Sequence, residues 1–325
     1  MVLLGVLSAI VLLPIGAVLW MTSVPGRSFE GPLPPLTPAQ ADSASRLREH
    51  VTAIASAPHN VARPKELERS ALAIERALAG LGYKVARQPF RADGVEVRNM
   101  EAVIEPADPN AATLVIGAHY DSCCDAPGAN DNGSGVAAVL ELARMLSDLR
   151  GKSRMRIRLV LFVNEEPPYF RTEQMGSLVY ARRLAGSGEK VAGMFSLETI
   201  GYYRDEPGSQ RYPAPLNLLY PNTGNFVAFV GLTSSRSLVR KTVASFRAVA
   251  AFPSVGGTAP GAIPGIDWSD HWAFEQVGIP ALMVTDTALF RYPHYHTPED
   301  SPDKLDYERL ARVTAGLEQV IRNWR

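Results

Sequence analysis

The chain lacks most of what would stabilise or steer a protein from outside its own core. Its 325 residues include two cysteines, adjacent at Cys123 and Cys124, so there is neither a disulfide framework nor a thiolate zinc cage of the CxxC kind. No sign of charge is in excess: 33 basic side chains face 33 acidic ones, which excludes a global electrostatic footprint for nucleic acid or for an anionic membrane surface. Disorder is excluded as well, because 46% hydrophobic residues suffice to bury a core. Any structural metal must therefore be held by His, Asp or Glu.

What is present begins with an apolar leader. From Val2 to Met21 no side chain is charged, and about 20 such residues are what a helix needs to cross a bilayer. The run exceeds a signal-peptide core and lacks a small-x-small site before Pro25, which favours an uncleaved transmembrane anchor over residues 1–22 above a cleaved signal peptide. No Lys or Arg precedes it, so the positive-inside rule assigns no orientation. Residues 23–37 read as a Pro-rich linker, and residues 38–325 as one folded domain. That domain is membrane-attached if the leader stays and secreted if it is removed.

The domain reads as an alternating array. Residues 39–57 and 64–82 carry helical spacing, the second through Leu67, Leu72, Ile74, Leu78 and Leu81. After the strand-like YKVARQPF and VEVRNMEAVIE, strands and helices alternate: TLVIGAHY, GSGVAAVLELARMLSDL, MRIRLVLFVNEE, GSLVYARRLAG, VAGMFSLETIGYY, NFVAFVGL, residues 234–249, PALMVTDT, and a last helix over 306–324. The apolar run Leu159 to Val163 does not alternate, as expected of strands covered on both faces. An α/β fold with a largely parallel sheet between helix layers follows.

In such sheets ligands bind beyond the carboxyl ends of the strands, and the polar clusters of this sequence fall there. TLVIGAHY runs into His119 and Asp121, RLVLFVN into Glu165 and Glu166, and GMFSL into Glu198. Asp121 is placed to accept from the ring nitrogen of His119 that faces away from a metal. Asp131 sits in the Gly-rich turn PGANDNGSG, where helix capping is the simpler reading. Two successive carboxylates at a dry strand exit repel, unless one binds a metal and the other handles a proton. Downstream, SDHWAF supplies Asp270 and His271, and FRYPHYHTPED supplies His294, Tyr295 and His296. His50 and His59 read as ordinary surface or packing residues.

Taken in order, these motifs resemble the co-catalytic dizinc exopeptidases, family 28 of the metallopeptidases, which includes bacterial leucyl-type aminopeptidases and is akin to glutaminyl cyclases. The resemblance runs from LREHVTAIASAPHN through PGANDNGSGVAAVLELAR and NEE to HTPEDSPDKLD. It implies a mixed, mostly parallel sheet sandwiched by helices, in the phosphorylase/hydrolase-like manner, two Zn2+ per chain and peptide substrates. By the same resemblance His119 and Glu198 bind one zinc, Glu166 and His296 the other, and Asp131 bridges them. Glu165 looks like the general base and Asp121 like the partner of His119. Tyr295 matches a position that stabilises the oxyanion, while Asp270 and His271 lie near the pocket. The domain is expected in the periplasm or outside the cell; the side of the membrane is an expectation from the family resemblance and not from the leader.

Two departures stand out. The family generally has Asp where this chain has Glu198, and PPYFRTEQM after Glu166 is longer than the usual turn, which suggests a stretch of pocket wall. Arg171, Glu173 and Arg291 are candidates for holding a substrate terminus, with surface charge an equal reading. Two rivals stay open: a glutaminyl-cyclase-like acyltransferase, although those enzymes tend to carry Trp where this chain has Tyr295, and a noncatalytic receptor-like ectodomain, against which every proposed ligand is a competent type. Cys123 and Cys124 read most simply as reduced, packed thiols, with a vicinal disulfide as the alternative. Oligomeric state has no signature in the sequence.

Overall fold

The computed structural model describes residues 2–214 and 216–324, with side chains from Leu12 onward. Three helices come first: α1 (Val2–Thr22), α2 (Pro38–Ile54) and α3 (Pro64–Gly80). The start of α2 is set chemically. The Thr37 hydroxyl accepts from the Gln40 amide at 3.2 Å, the Gln40 side chain accepts from the Thr37 amide at 3.0 Å, and Pro38 takes the first helical position. The order continues β1 (Ala86–Ala92), β2 (Val95–Ile104), β3 (Thr113–His119), α4 (Gly135–Met145), β4 (Arg156–Phe162), α5 (Gly176–Gly186), β5 (Val191–Leu197), β6 (Val227–Leu232), α6 (Arg236–Val249), β7 (Ser254–Ala259), α7 (His271–Glu275), β8 (Ala281–Thr285), α8 (Ala288–Arg291) and α9 (Tyr307–Arg322).

All eight strands join one sheet in the order β1-β2-β4-β3-β5-β8-β6-β7. Its centre, β4-β3-β5-β8, is parallel throughout, whereas β1, β2 and the β8-β6 pair add antiparallel ladders. The sheet is therefore mixed, with the parallel part where the strands are most buried. All seven residues of β3 are buried, and successive residues go to opposite faces. Leu114, Ile116, Leu159 and Leu161 join one apolar cluster with α2, α4, α6 and α9. Val115, Val160, Phe162 and Met194 join the other with α5 and α7, where Phe162 meets Tyr180 and Phe274 edge-on. Both faces are thus covered, which is why these runs do not alternate.

The strand SVGGTA of β7 has no counterpart among the sequence expectations. Its paired glycines weaken any strand signal, and it is held at the sheet edge by a parallel ladder to β6. At the other end of the chain the apolar leader is helical over Val2–Thr22. Among the described residues, no helix is long and apolar enough to cross a membrane; half of the expected span, residues 1–11, lies outside the residues whose side chains are described. The end of α1 rests on the domain: Thr258 donates to the Met21 carbonyl at 3.3 Å and Arg236 to the Trp20 carbonyl at 3.0 Å.

Candidate metal centre

Because β4, β3, β5 and β8 are parallel neighbours, their carboxyl ends open on one edge. That edge collects Glu165 and Glu166 after β4, His119 at the end of β3, Glu198 after β5, and Tyr295 and His296 from the chain that follows β8 and α8. Asp131 arrives from the turn before α4. Gly135 lets that helix start close: a Cβ there would lie 2.2 Å from the Leu197 carbonyl and 2.3 Å from the Asn132 side-chain oxygen.

Asp131 stands between the two histidines. Its Oδ1 is 3.2 Å from His119 Nε2 and its Oδ2 is 3.0 Å from His296 Nε2. On the His119 side Glu198 Oε2 lies 3.3 Å from the ring nitrogen; on the other side Glu166 Oε2 lies 3.3 Å from His296. Glu165 Oε2 is 3.9 Å from His119 Nε2. Both Asp131 oxygens, Glu166 Oε1 and His296 Nε2 are buried without a hydrogen-bond partner, a costly state for polar atoms unless a cation takes up their lone pairs. Within 4.8 Å of one another stand ligand atoms of His119, Asp131 and Glu198, of His119, Glu165 and Glu166, and of Cys123, Glu166 and His296. The donor set, carboxylate and imidazole with unsatisfied lone pairs, fits divalent cations.

The electrostatics agree. Burial pushes Glu166 up to about 7 and Glu198 up to about 8, with Asp131 adding repulsion in each case, and it raises Glu165 well above the carboxylate range. Burial opposes charge on His119 and His296 too, but the surrounding carboxylates outweigh it and raise both. Those same histidines hold Asp131 below its ordinary value against its own burial. A cluster this acidic and this dry draws protons when cations are absent, and cations would displace them.

The surrounding contacts differ from the sequence expectation in one respect. His119 Nδ1 hydrogen-bonds to the main-chain carbonyl of Asp121 at 3.0 Å, while the Asp121 carboxylate lies 3.6 Å away. That carboxylate instead accepts the amides of Glu165 and Glu166 at 3.1 and 3.2 Å. Asp121 thus fixes the ring through its backbone and the glutamate pair through its side chain. Asp270 is fully buried with both oxygens unpartnered, and its charge adds to the rise of Glu165 and Glu198. His271 gives Nε2 to the Ile266 carbonyl at 2.9 Å and burial lowers it to about 4; it stands outside the ligand groups. Tyr295 stacks on His296 at 3.9 Å, and burial followed by the nearby carboxylates keeps its phenol protonated.

Two positioning residues were not singled out in the sequence. Ser269, beside Asp270, donates to Glu198 Oε2 at 2.8 Å and pairs with Ser196 at 2.7 Å. Asp300 accepts the amides of Asn130 and Asp131 at 2.8 and 3.1 Å and the Tyr292 hydroxyl at 2.8 Å, holding the Asp131 turn from behind. The only signal for either was adjacency to a motif already noted, SDH and HTPED.

An apolar pocket adjoins the centre. Glu198, Thr199 and Tyr295 lie at its edge, and its walls come from Tyr212, Leu216, Tyr220, Phe226, Trp268 and Phe290, with Thr22 of α1 at the rim. The loop PPYFRTEQM does not form this wall: Pro167, Pro168 and Tyr169 line a separate cleft beside Asp121, Cys124 and Glu166. The candidate terminus binders are engaged elsewhere. Arg171 pairs with Asp267 at 2.5 Å, Glu173 with Arg182, and buried Arg291 donates to Gln210 at 2.7 Å and to the Phe226 carbonyl at 2.9 Å.

Comparison with known proteins agrees with this architecture. An uncharacterised protein of Escherichia coli K12, YfbL, is 40% identical over 275 residues, 82% of this chain and 83% of its own length. Aminopeptidase YwaD of Bacillus subtilis is 31% identical over 223 residues, 64% of this chain but only 41% of that protein. Among solved structures, an aminopeptidase from Aneurinibacillus sp. strain AM-1 superposes with a TM-score of 0.67 at 18% identity, covering 87% of this chain and 94% of that one, a likeness of fold. The sequence model described as Peptidase family M28 matches residues 99–321. The chain belongs to peptidase family M28.

Proposed function

We propose that the protein is a zinc-dependent aminopeptidase using two metal ions. The observation that carries this reading is the placement of Asp131, one oxygen toward His119 and the other toward His296, with Glu198 and Glu166 completing the two sides. In this reading His119 and Glu198 hold one zinc, Glu166 and His296 the other, and Asp131 both. The pair, when bound, supplies Lewis acidity to the scissile carbonyl and lowers the pKa of the attacking water.

The chain's own groups do the rest. Glu165 lies 3.9 Å from His119 and accepts the proton of the attacking water, then returns it to the leaving amine. Tyr295, kept protonated, donates to the developing oxyanion. The adjoining aromatic and aliphatic walls seat an apolar side chain next to the scissile bond. Peptides are thus the substrates. The exposed Leu12, Leu13, Ile15, Leu19 and Trp20 of α1 support attachment of the apolar leader to a membrane, and a domain in the periplasm or outside the cell is part of the same proposal.

The test is Glu165→Gln, assayed for release of N-terminal residues from a peptide library by mass spectrometry, alongside cyclisation of a peptide with N-terminal Gln. Removing a general base costs roughly 10²–10⁴-fold in rate, while zinc stays at two per chain. Unchanged turnover would remove Glu165 as the base, and cyclisation without residue release would favour the acyltransferase reading.

A further inference from the structure

Cys123 is a free, buried thiol, as the simpler sequence reading expects. The tertiary structure adds what that thiol faces. Its Sγ, a carboxylate oxygen of Glu166 and a ring nitrogen of His296 lie within 4.8 Å of one another. Cys123 is only 4% exposed, and Glu166, 3% exposed, keeps Oε1 buried and without a hydrogen-bond partner at the same spot. Cys124, whose Sγ is 3.1 Å from that of Cys123, is exposed and absent from the group.

The thiol is also held in place. Asn60 clamps the chain on both sides of it, its Nδ2 donating to the Ser122 carbonyl at 3.0 Å and to the Cys124 carbonyl at 2.9 Å. The Ser122 amide bonds to the His59 carbonyl and the His59 amide to the Ser122 hydroxyl, each at 2.9 Å. The Cys123 carbonyl accepts from the Ala126 amide at 2.9 Å. A loop fixed at each residue around one sulfur presents a preorganised donor.

We propose that Cys123 is a thiolate ligand of the metal bound by Glu166 and His296, making the two halves of the centre chemically unequal. This rests on the two-metal reading above. Binding replaces the S–H bond with a sulfur–metal bond and releases the proton to solvent. The His119 side keeps only nitrogen and oxygen donors, whereas the His296 side gains a soft one and with it a preference for thiophilic cations. The thiolate also raises the ligand charge from three, contributed by Asp131, Glu166 and Glu198, to four, which balances two divalent cations without a hydroxide.

The experiment uses the full chain stripped of metal and reloaded with Co2+. A thiolate-to-cobalt charge-transfer band in the near ultraviolet is expected in the parent and in Cys124→Ser, and is expected to vanish in Cys123→Ser. Cobalt bound without the band, or a band surviving in Cys123→Ser, overturns the assignment and leaves the two-metal centre standing; failure to bind cobalt at all overturns both. Loss of the metal from Cys123→Ser would also remove the band, so the unsubstituted protein loaded with 113Cd supplies a second readout. One of two cadmium resonances is expected far downfield in the thiolate range, and two resonances in the nitrogen and oxygen range would exclude Cys123.

Discussion

Replacing Ser269 with Ala removes one hydroxyl and tests whether Glu198 is positioned as the structure has it. Ser269 Oγ donates to Glu198 Oε2 at 2.8 Å and is itself backed by Ser196 at 2.7 Å, and both serines are fully buried. A hydrogen bond to a charged acceptor contributes about 1.5–3 kcal/mol, and each tenfold in affinity is about 1.4 kcal/mol. The variant should therefore weaken the metal on the His119 side by roughly 10–100-fold, the range for losing an outer partner of a ligand. The metal on the His296 side shares only Asp131 with it and should keep its affinity. Stepwise zinc titration by calorimetry, with a competing chelator, separates the two sites. Ser196→Ala, which supports Ser269 without touching Glu198, should have the smaller effect. Equal weakening of both metals, or loss of thermal stability with both affinities intact, would refute the reasoning.

Other consequences are equally direct. On the proposed two-zinc centre, His296→Ala should lower zinc from two toward one per chain; full occupancy would remove it from the ligand set. Asp300→Ala strips the acceptor from two amides and a hydroxyl, each costing about 1–3 kcal/mol when left buried and unpaired, so denaturant unfolding should show a loss of roughly 3 kcal/mol or more; a loss below about 1 kcal/mol would contradict that account. In the metal-free protein Glu166 at about 7 and Glu198 at about 8 sit above their ordinary 4.5, so the folded state binds more protons than the unfolded one between those values and stability falls as pH rises. The raised His119 and His296 act in the same direction above their ordinary 6.5. The Tm of the metal-free chain should thus drop between about pH 5 and 8 and that of the zinc-loaded chain should not; parallel profiles would show that these groups are not paired with cations.

Much of the fold was legible because it rests on local periodicity. The non-alternating run Leu159–Val163 announced a strand covered on both faces, and GSLVYARRLAG coincides with α5 at Gly176–Gly186. β7 was not legible, since SVGGTA owes its pairing to β6 rather than to its own residues. In the centre, His119, Glu165, Glu166 and Glu198 were marked by strand ends, where a run of apolar residues stops abruptly at a charged one. Ser269 and Asp300 were not, because a serine or aspartate beside a motif looks the same whether it faces solvent or a ligand.

The sequence by itself determined the α/β alternation, the family resemblance and the ligand types, since each depends on residue identity and spacing along one chain. Only the tertiary structure decided which oxygen of Asp131 faces which histidine, that Asp121 serves His119 through its carbonyl, that Arg291 is buried and bonded to Gln210 and the Phe226 carbonyl, and that Cys123 rather than Cys124 turns toward Glu166 and His296. The reason is geometric. Three parallel strand ends and two distant loops converge on one edge of the sheet, and which atoms meet there depends on side-chain direction and backbone hydrogen bonds that no one-dimensional pattern contains. The scarcity of cysteine excludes a thiolate cage and leaves room for a single sulfur ligand.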